Sequence, residues 1–156
     1  MPEESAVDIL FVEDNPFDIE LTMRTLRKCV PSSTIQVVHD GAEALDYLFA
    51  SGPYSERSVE DTPGMILLDL KLPKVNGTQV LQWVRADRRT KDIPVLVLTS
   101  FENDSEVVEI YKLGVSGYLL KPLDAESFQK VAAHLGLLKP GAEPLKSNAA
   151  RTGESG

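Results

Sequence analysis

Short apolar runs recur five times along this chain, and between them apolar residues return every three or four positions. The runs at 7–13, 34–39, 64–69, 94–99 and 117–121 read as strands. Ile9-Leu10-Phe11-Val12, Met65-Ile66-Leu67-Leu68 and Val95-Leu96-Val97-Leu98 contain no polar residue. Such strands are covered by helices on both faces, so the first, third and fourth are expected at the centre of a sheet. The intervening stripes are Ile19, Met23 and Leu26, then Val80, Leu81 and Val84, then Phe128, Val131, Ala132 and Leu135. Each is the spacing by which a helix covers a sheet, and these residues are assigned to the core. The alternation predicts an α/β fold with a doubly wound, five-stranded parallel sheet.

Two segments stand outside this rhythm. Residues 51–62 are long for a helix-to-strand connection, which usually takes ~2–6 residues; they form either a surface loop or a docking element. The stretch 139–156, with Pro140, Gly141, Pro144 and a polar remainder, lacks the apolar content to fold alone. The expected organisation is one folded domain over 7–138 and a flexible tail over 139–156, so any output must come from the domain itself.

The strand ends carry the chemistry. The first strand delivers Glu13 and Asp14, and the third delivers Asp69. Adjacent parallel strands open their carboxyl ends on one crevice, where these acids can converge on a hard divalent cation such as Mg²⁺. The fourth strand presents Thr99 and the fifth presents Lys121 just before Pro122. A hydroxyl and an ammonium at the same edge suit the outer oxygens of a phosphoryl group. A carboxylate attacking such a group would form an aspartyl phosphate, and Asp69 is the candidate nucleophile.

With these motifs in place the chain resembles the response-regulator receiver domains of two-component signalling, over residues 7 to 138. Within them it is most similar to the stand-alone regulators of bacterial phytochrome-type histidine kinases, through Val12-Glu13-Asp14-Asn15-Pro16-Phe17-Asp18 and the long segment after the second helix. The resemblance implies a flavodoxin-like strand order 2-1-3-4-5 with five helices. It implies that Asp69, followed by Pro73 and Gly77, accepts a phosphoryl group from a sensor histidine kinase, possible partners being a bacteriophytochrome and a histidine phosphotransfer protein. Asp14 and Asp69 would ligate Mg²⁺ directly, Glu13 through water, and Lys71 through its backbone carbonyl. Thr99 and Lys121 would bind phosphoryl oxygens, and the Lys121–Pro122 bond corresponds to a cis peptide. Thr99 and Tyr118 correspond to the switch pair, although Tyr118 as readily packs at a sheet edge. Slow self-dephosphorylation is implied as well. Ser100 and Phe101 replace smaller or polar residues of commoner receivers and would restrict access to the phosphorus; Lys71 is either a second cation or a solvated charge.

Composition narrows the remaining choices. A net charge of -8 speaks against a nucleic-acid surface, and the cluster Arg85, Arg88, Arg89 and Lys91 reads as a solvated helix end. No stretch approaches the ~20 apolar residues of a membrane span and the N-terminus lacks signal-peptide character, so a cytoplasmic protein is expected. Cys29 is the one cysteine, which excludes an intrachain disulfide. His39 and His134 are not expected to hold the metal. A phosphatase of haloacid-dehalogenase type would need an acid at position 71, where Lys71 stands, and a flavin module would not place Glu13-Asp14 at its phosphate loop. A homodimer is expected through the helix between the fourth and fifth strands, the fifth strand and the last helix, with Lys112 or Lys130 facing acids; a monomer covering its own edge is the alternative.

Overall fold

The structure is a computed structural model that describes residues 8–69, 77–100, 112 and 114–137. Its strands are β1 (Ile9–Val12), β2 (Ile35–Val38), β3 (Met65–Asp69), β4 (Val95–Thr99) and β5 (Gly117–Leu120). All neighbours pair in parallel, in the order β2-β1-β3-β4-β5. The helices are α1 (Pro16–Cys29), α2 (Gly41–Leu48), α3 (Gly77–Ala86) and α4 (Ala125–His134). The helix expected between β4 and β5 falls on 101–113, of which only Lys112 is described, so α4 is the last helix of the chain's expected five. The strand order and the central placement of β1, β3 and β4 agree with the reading of the sequence.

Successive strand residues face opposite sides, so each central strand feeds two cores. Leu10, Val12, Ile66, Leu68, Val95 and Val97 pack on one side with Val80, Leu81 and Val84 of α3. Ile9, Phe11, Met65, Leu67, Leu96 and Leu98 pack on the other with Leu26 of α1 and Phe128 and Ala132 of α4. This double burial explains why these strands carry no polar residue until their last position.

Local chemistry starts α1, α2 and α4 where a strand or turn ends. Asn15 caps α1 by accepting from the backbone N–H of Phe17 at 2.9 Å and of Asp18 at 3.1 Å, with Pro16 opening the first turn. Asp40 accepts from Glu43 N–H at 2.7 Å to start α2, and Asp124 accepts from Ser127 N–H at 2.9 Å to start α4. Each cap contributes about 1 kcal/mol.

Two surface segments are tied down by their side chains. Residues 51–62 are strapped onto α2: the Tyr54 ring meets Tyr47 edge-on at 5.0 Å, and its hydroxyl donates to Glu43 at 2.6 Å. The Arg57 guanidinium lies 3.9 Å over the Tyr47 ring and donates to the carbonyls of Tyr47 and Asp61. Arg85 is no solvated helix end. It donates to Gly114 O and Lys91 O, each at 2.9 Å, and to Ile93 O at 2.8 Å, tying the end of α3 to the approach to β5. Clustered basic residues hid a side chain whose donors are taken up by three backbone carbonyls.

The packing sets a stability test. Phe128 is fully buried between α4 and the sheet, whereas Trp83 on α3 is 59% exposed. Phe128→Ala is expected to lower stability by about 3–5 kcal/mol, and Trp83→Ala by less than about 0.5 kcal/mol, as measured by urea denaturation. Comparable losses for the two would contradict the assignment of the core.

Candidate functional site

Strand register brings the acids together. Val12 pairs with Leu68, so the next residues, Glu13 and Asp69, emerge side by side at the carboxyl ends of β1 and β3. Asp69 is level with Leu98, one residue before Thr99, and Thr99 is level with Leu120, one residue before Lys121. The backbone N–H of Lys121 donates to Thr99 O at 2.9 Å, which extends the β4–β5 ladder to the site. The Lys121–Pro122 peptide is cis, as the resemblance implied.

Carboxylate oxygens of Glu13, Asp14 and Asp69 all lie within 4.8 Å of one another. Glu13 and Asp69 are buried, while Asp14 is exposed at the mouth. The Lys121 ammonium sits among acids, 3.1 Å from Glu13 Oε1, 3.2 Å from Asp69 Oδ2 and 3.2 Å from Asp18 Oδ2. The resulting cavity of about 200 Å³ is also lined by Thr99 and Ser100.

The electrostatics follow from burial. Loss of hydration, then repulsion from Asp69, pushes the Glu13 carboxyl up to about 7 from its ordinary 4.5, against the pull of Lys121. Burial opposes the Lys121 ammonium, but Asp69 and Glu13 outweigh it and hold its pKa above the usual value. Among the described residues Glu13 Oε1 is buried without a hydrogen bond and meets Lys121 Nζ as an ion pair at 3.1 Å. A carboxylate oxygen in that condition, beside two further hard oxygen donors, fits a divalent cation of the Mg²⁺, Ca²⁺ or Mn²⁺ class.

Of the site residues expected from sequence, Glu13, Asp14, Asp69, Thr99 and Lys121 line this one cavity. Tyr118 lies outside its lining, partly buried on the neighbouring face of β5 opposite Val97. Lys71 and Phe101 fall outside the described residues. His39 does not line the cavity and pairs with Glu43, Nδ1 to Oε1 being 3.4 Å. The member missed from sequence is Asp18. Its signal was present, since an acid in the first turn of a helix that starts directly after the strand-end acids must lie near them.

Comparison with known proteins gives a consistent picture. The family model for the response regulator receiver domain matches residues 9–133. The bacteriophytochrome response regulator RtBRR is similar at 44% identity and a TM-score of 0.79, over 90% of this chain and 84% of that one. The bacteriophytochrome response regulator AtBRR is similar at 43% and 0.77, over 89% and 97%. Response regulator Rcp1 of Synechocystis sp. is 34% identical over 123 residues, 79% of this chain and 82% of the relative. A Mn(2+)-bound structure of Rcp1 superposes with a TM-score of 0.69 at 31% identity, over 89% and 98%. Neither the phosphatase nor the flavin alternative receives support. No helix among the described residues is long and apolar enough to cross a membrane.

The raised Glu13 value has a definite sign in stability. The folded state binds that proton more tightly than the unfolded chain, so metal-free protein should gain stability as pH falls from about 7 towards 4.5. Urea denaturation at about pH 8 and about pH 5.5 is expected to show this gain in the wild type and a smaller one in Glu13→Gln. Identical pH dependence in both proteins would show that Glu13 is already ionised in the fold.

Proposed function

The chain belongs to the response regulator receiver domain family, and we propose that within it Asp69 accepts a phosphoryl group from the phosphohistidine of a sensor histidine kinase. The observation that carries the reading is the convergence of Glu13, Asp14 and Asp69 within 4.8 Å, with the Lys121 ammonium 3.2 Å from Asp69. Receiver domains are signalling phosphoacceptors that take a divalent metal at this acidic pocket, and a histidine kinase is their donor.

In the transfer, an Asp69 carboxylate oxygen attacks phosphorus in line with the bond to the kinase imidazole. That bond breaks, its electron pair stays on the imidazole nitrogen, and the phosphorus–oxygen bond to Asp69 forms. Lys121 neutralises one of the transferred oxygens, and the Thr99 hydroxyl donates to another. Asp14 and Asp69, with Glu13 through water and the Lys71 carbonyl, would hold Mg²⁺, whose charge offsets that of the acids and the incoming phosphate. Burial of Thr99 at the end of β4 supports its use as the residue that moves when phosphate arrives, with Tyr118 on β5 following it inward.

The similarity to RtBRR and AtBRR favours a bacteriophytochrome as the kinase, and a histidine phosphotransfer protein is a further acceptor in a phosphorelay. Slow self-dephosphorylation, action in the cytoplasm and a homodimer through the helix expected between β4 and β5, β5 itself and the last helix complete the proposal. Leu120, 45% exposed on that edge strand, supports the dimer surface. The folded receiver spans 7–138, with 139–156 as its tail.

Acetyl phosphate with Mg²⁺ is expected to label Asp69 alone, and Asp69→Asn to abolish labelling, as read by intact-mass and peptide mass spectrometry. Asp14→Ala should weaken Mg²⁺ binding at least about tenfold, roughly 1.4 kcal/mol, in calorimetric titration, while His39→Ala leaves it unchanged. A major adduct on another residue would overturn the assignment.

A further inference from the structure

Asp18 stands apart from the other acids of the cavity. It lies on α1 and not at a strand end, and it is not one of the three residues grouped for a cation among the described residues. Its Oδ2 nevertheless receives a hydrogen bond from Lys121 Nζ at 3.2 Å, across 103 residues of sequence. A first-turn acid also gains from the helix dipole, but that benefit needs no partner on β5.

The ammonium has three donors, and three carboxylates face it: Glu13, Asp69 and Asp18. Two of these contacts are compromised by the chemistry proposed above. Asp69 loses its negative charge when one of its oxygens is esterified, and Glu13 belongs to the metal-competent group. Asp18 is committed to neither. Lys121 carries its charge on a flexible four-carbon stem, so without a fixed anion its head would be free to leave the place where phosphoryl charge develops.

Asp18 itself is held firmly. Its backbone N–H is bonded to the Asn15 cap at 3.1 Å, and Asn15 N–H in turn donates to Glu13 Oε2 at 3.3 Å. The segment 13–18 therefore presents both Glu13 and Asp18 to one ammonium from a single hydrogen-bonded turn.

We propose that Asp18 is a positioning residue that anchors the Lys121 ammonium beside Asp69 through phosphoryl transfer. The inference rests on the phosphoacceptor reading of Asp69. Asp18→Ala is expected to slow labelling by acetyl phosphate about tenfold at saturating Mg²⁺, with Mg²⁺ affinity changed less than about threefold. Asp18→Asn, which keeps an acceptor in the first turn without the charge, should fall between Asp18→Ala and the wild type. In a Lys121→Met background, Asp18→Ala should add no further loss, because the effect runs through Lys121. Nitrogen-15 NMR of the metal-free protein supplies a readout without chemistry: the Lys121 ammonium signal, identified by its loss in Lys121→Met, should be protected from exchange in the wild type and lose that protection in Asp18→Ala. Wild-type labelling rates in both Asp18 variants, or an equal loss from Asp18→Ala with and without Lys121, would overturn the proposal. A wild-type chain that never labels at Asp69 would instead overturn the phosphoacceptor reading, and the exchange measurement would still decide whether Asp18 holds the ammonium.

Discussion

The contact of one ammonium, Lys121 Nζ, with acids from β1, α1 and β3 is the interaction on which the site depends. Two like charges about 4 Å apart repel by ~4 kcal/mol at an effective dielectric near 20. Several acids at a buried strand edge would therefore drive the carboxyl ends of β1 and β3 apart without a counter-charge. Lys121 supplies part of it. The residue of the conflict shows in Glu13, whose carboxyl is pushed up to about 7 because burial and Asp69 together exceed what one ammonium offsets. The fold thus carries a carboxyl that is stabilised either by a proton or by additional positive charge.

The sheet makes that concentration of charge possible. Ile9, Leu10, Phe11 and Val12 are all fully buried, and so are Met65, Ile66, Leu67 and Leu68. Their cores on both faces fix the strands against sliding, since a shift of one residue would exchange the two faces. With register fixed, Glu13 and Asp69 have no freedom to separate along the strands. Repulsion between them is then relieved only by protonation, by Lys121 or by a cation, and that restriction is what turns a charge conflict into a binding site.

Much of this was legible in the sequence because the signals are local. Apolar runs that end in an acid, as in Phe11-Val12-Glu13-Asp14 and Leu67-Leu68-Asp69, mark both the buried strand and its working end. The strand order came from family resemblance and not from periodicity, since nothing in the spacing says which strand neighbours which. Side chains that act across the fold were the ones misread. Arg85 looked like part of a basic surface run, yet it donates to carbonyls of the segment that follows α3 and to Gly114, which only the tertiary structure brings near it. Tyr54 and Arg57 looked like loop residues, but their rings and charges close on Tyr47 and Glu43 of α2. Asp18 was visible as part of a motif, while its partner lies at the end of β5.

The link from the site to the rest of the molecule runs through β4 and β5. Lys121 is bonded through its backbone to Thr99, and Tyr118 lies three residues earlier on the short strand that Lys121 follows. Among the described residues β5 has β4 as its only sheet neighbour, and it is anchored at its start by Gly117, whose position leaves room for no side chain between Leu96 and Val131 without displacing them. Just before it, Gly114 is gripped by Arg85 of α3. An edge strand held at its entry and drawn at its exit by the ammonium has few ways to respond to a new anion at Asp69. The freedom left to it lies in the exposed and half-buried side chains of its middle and end, Tyr118 and Leu120. Under the function proposed above, a change of charge at the acids would be passed to that edge, the surface an incoming strand or helix of a partner would meet.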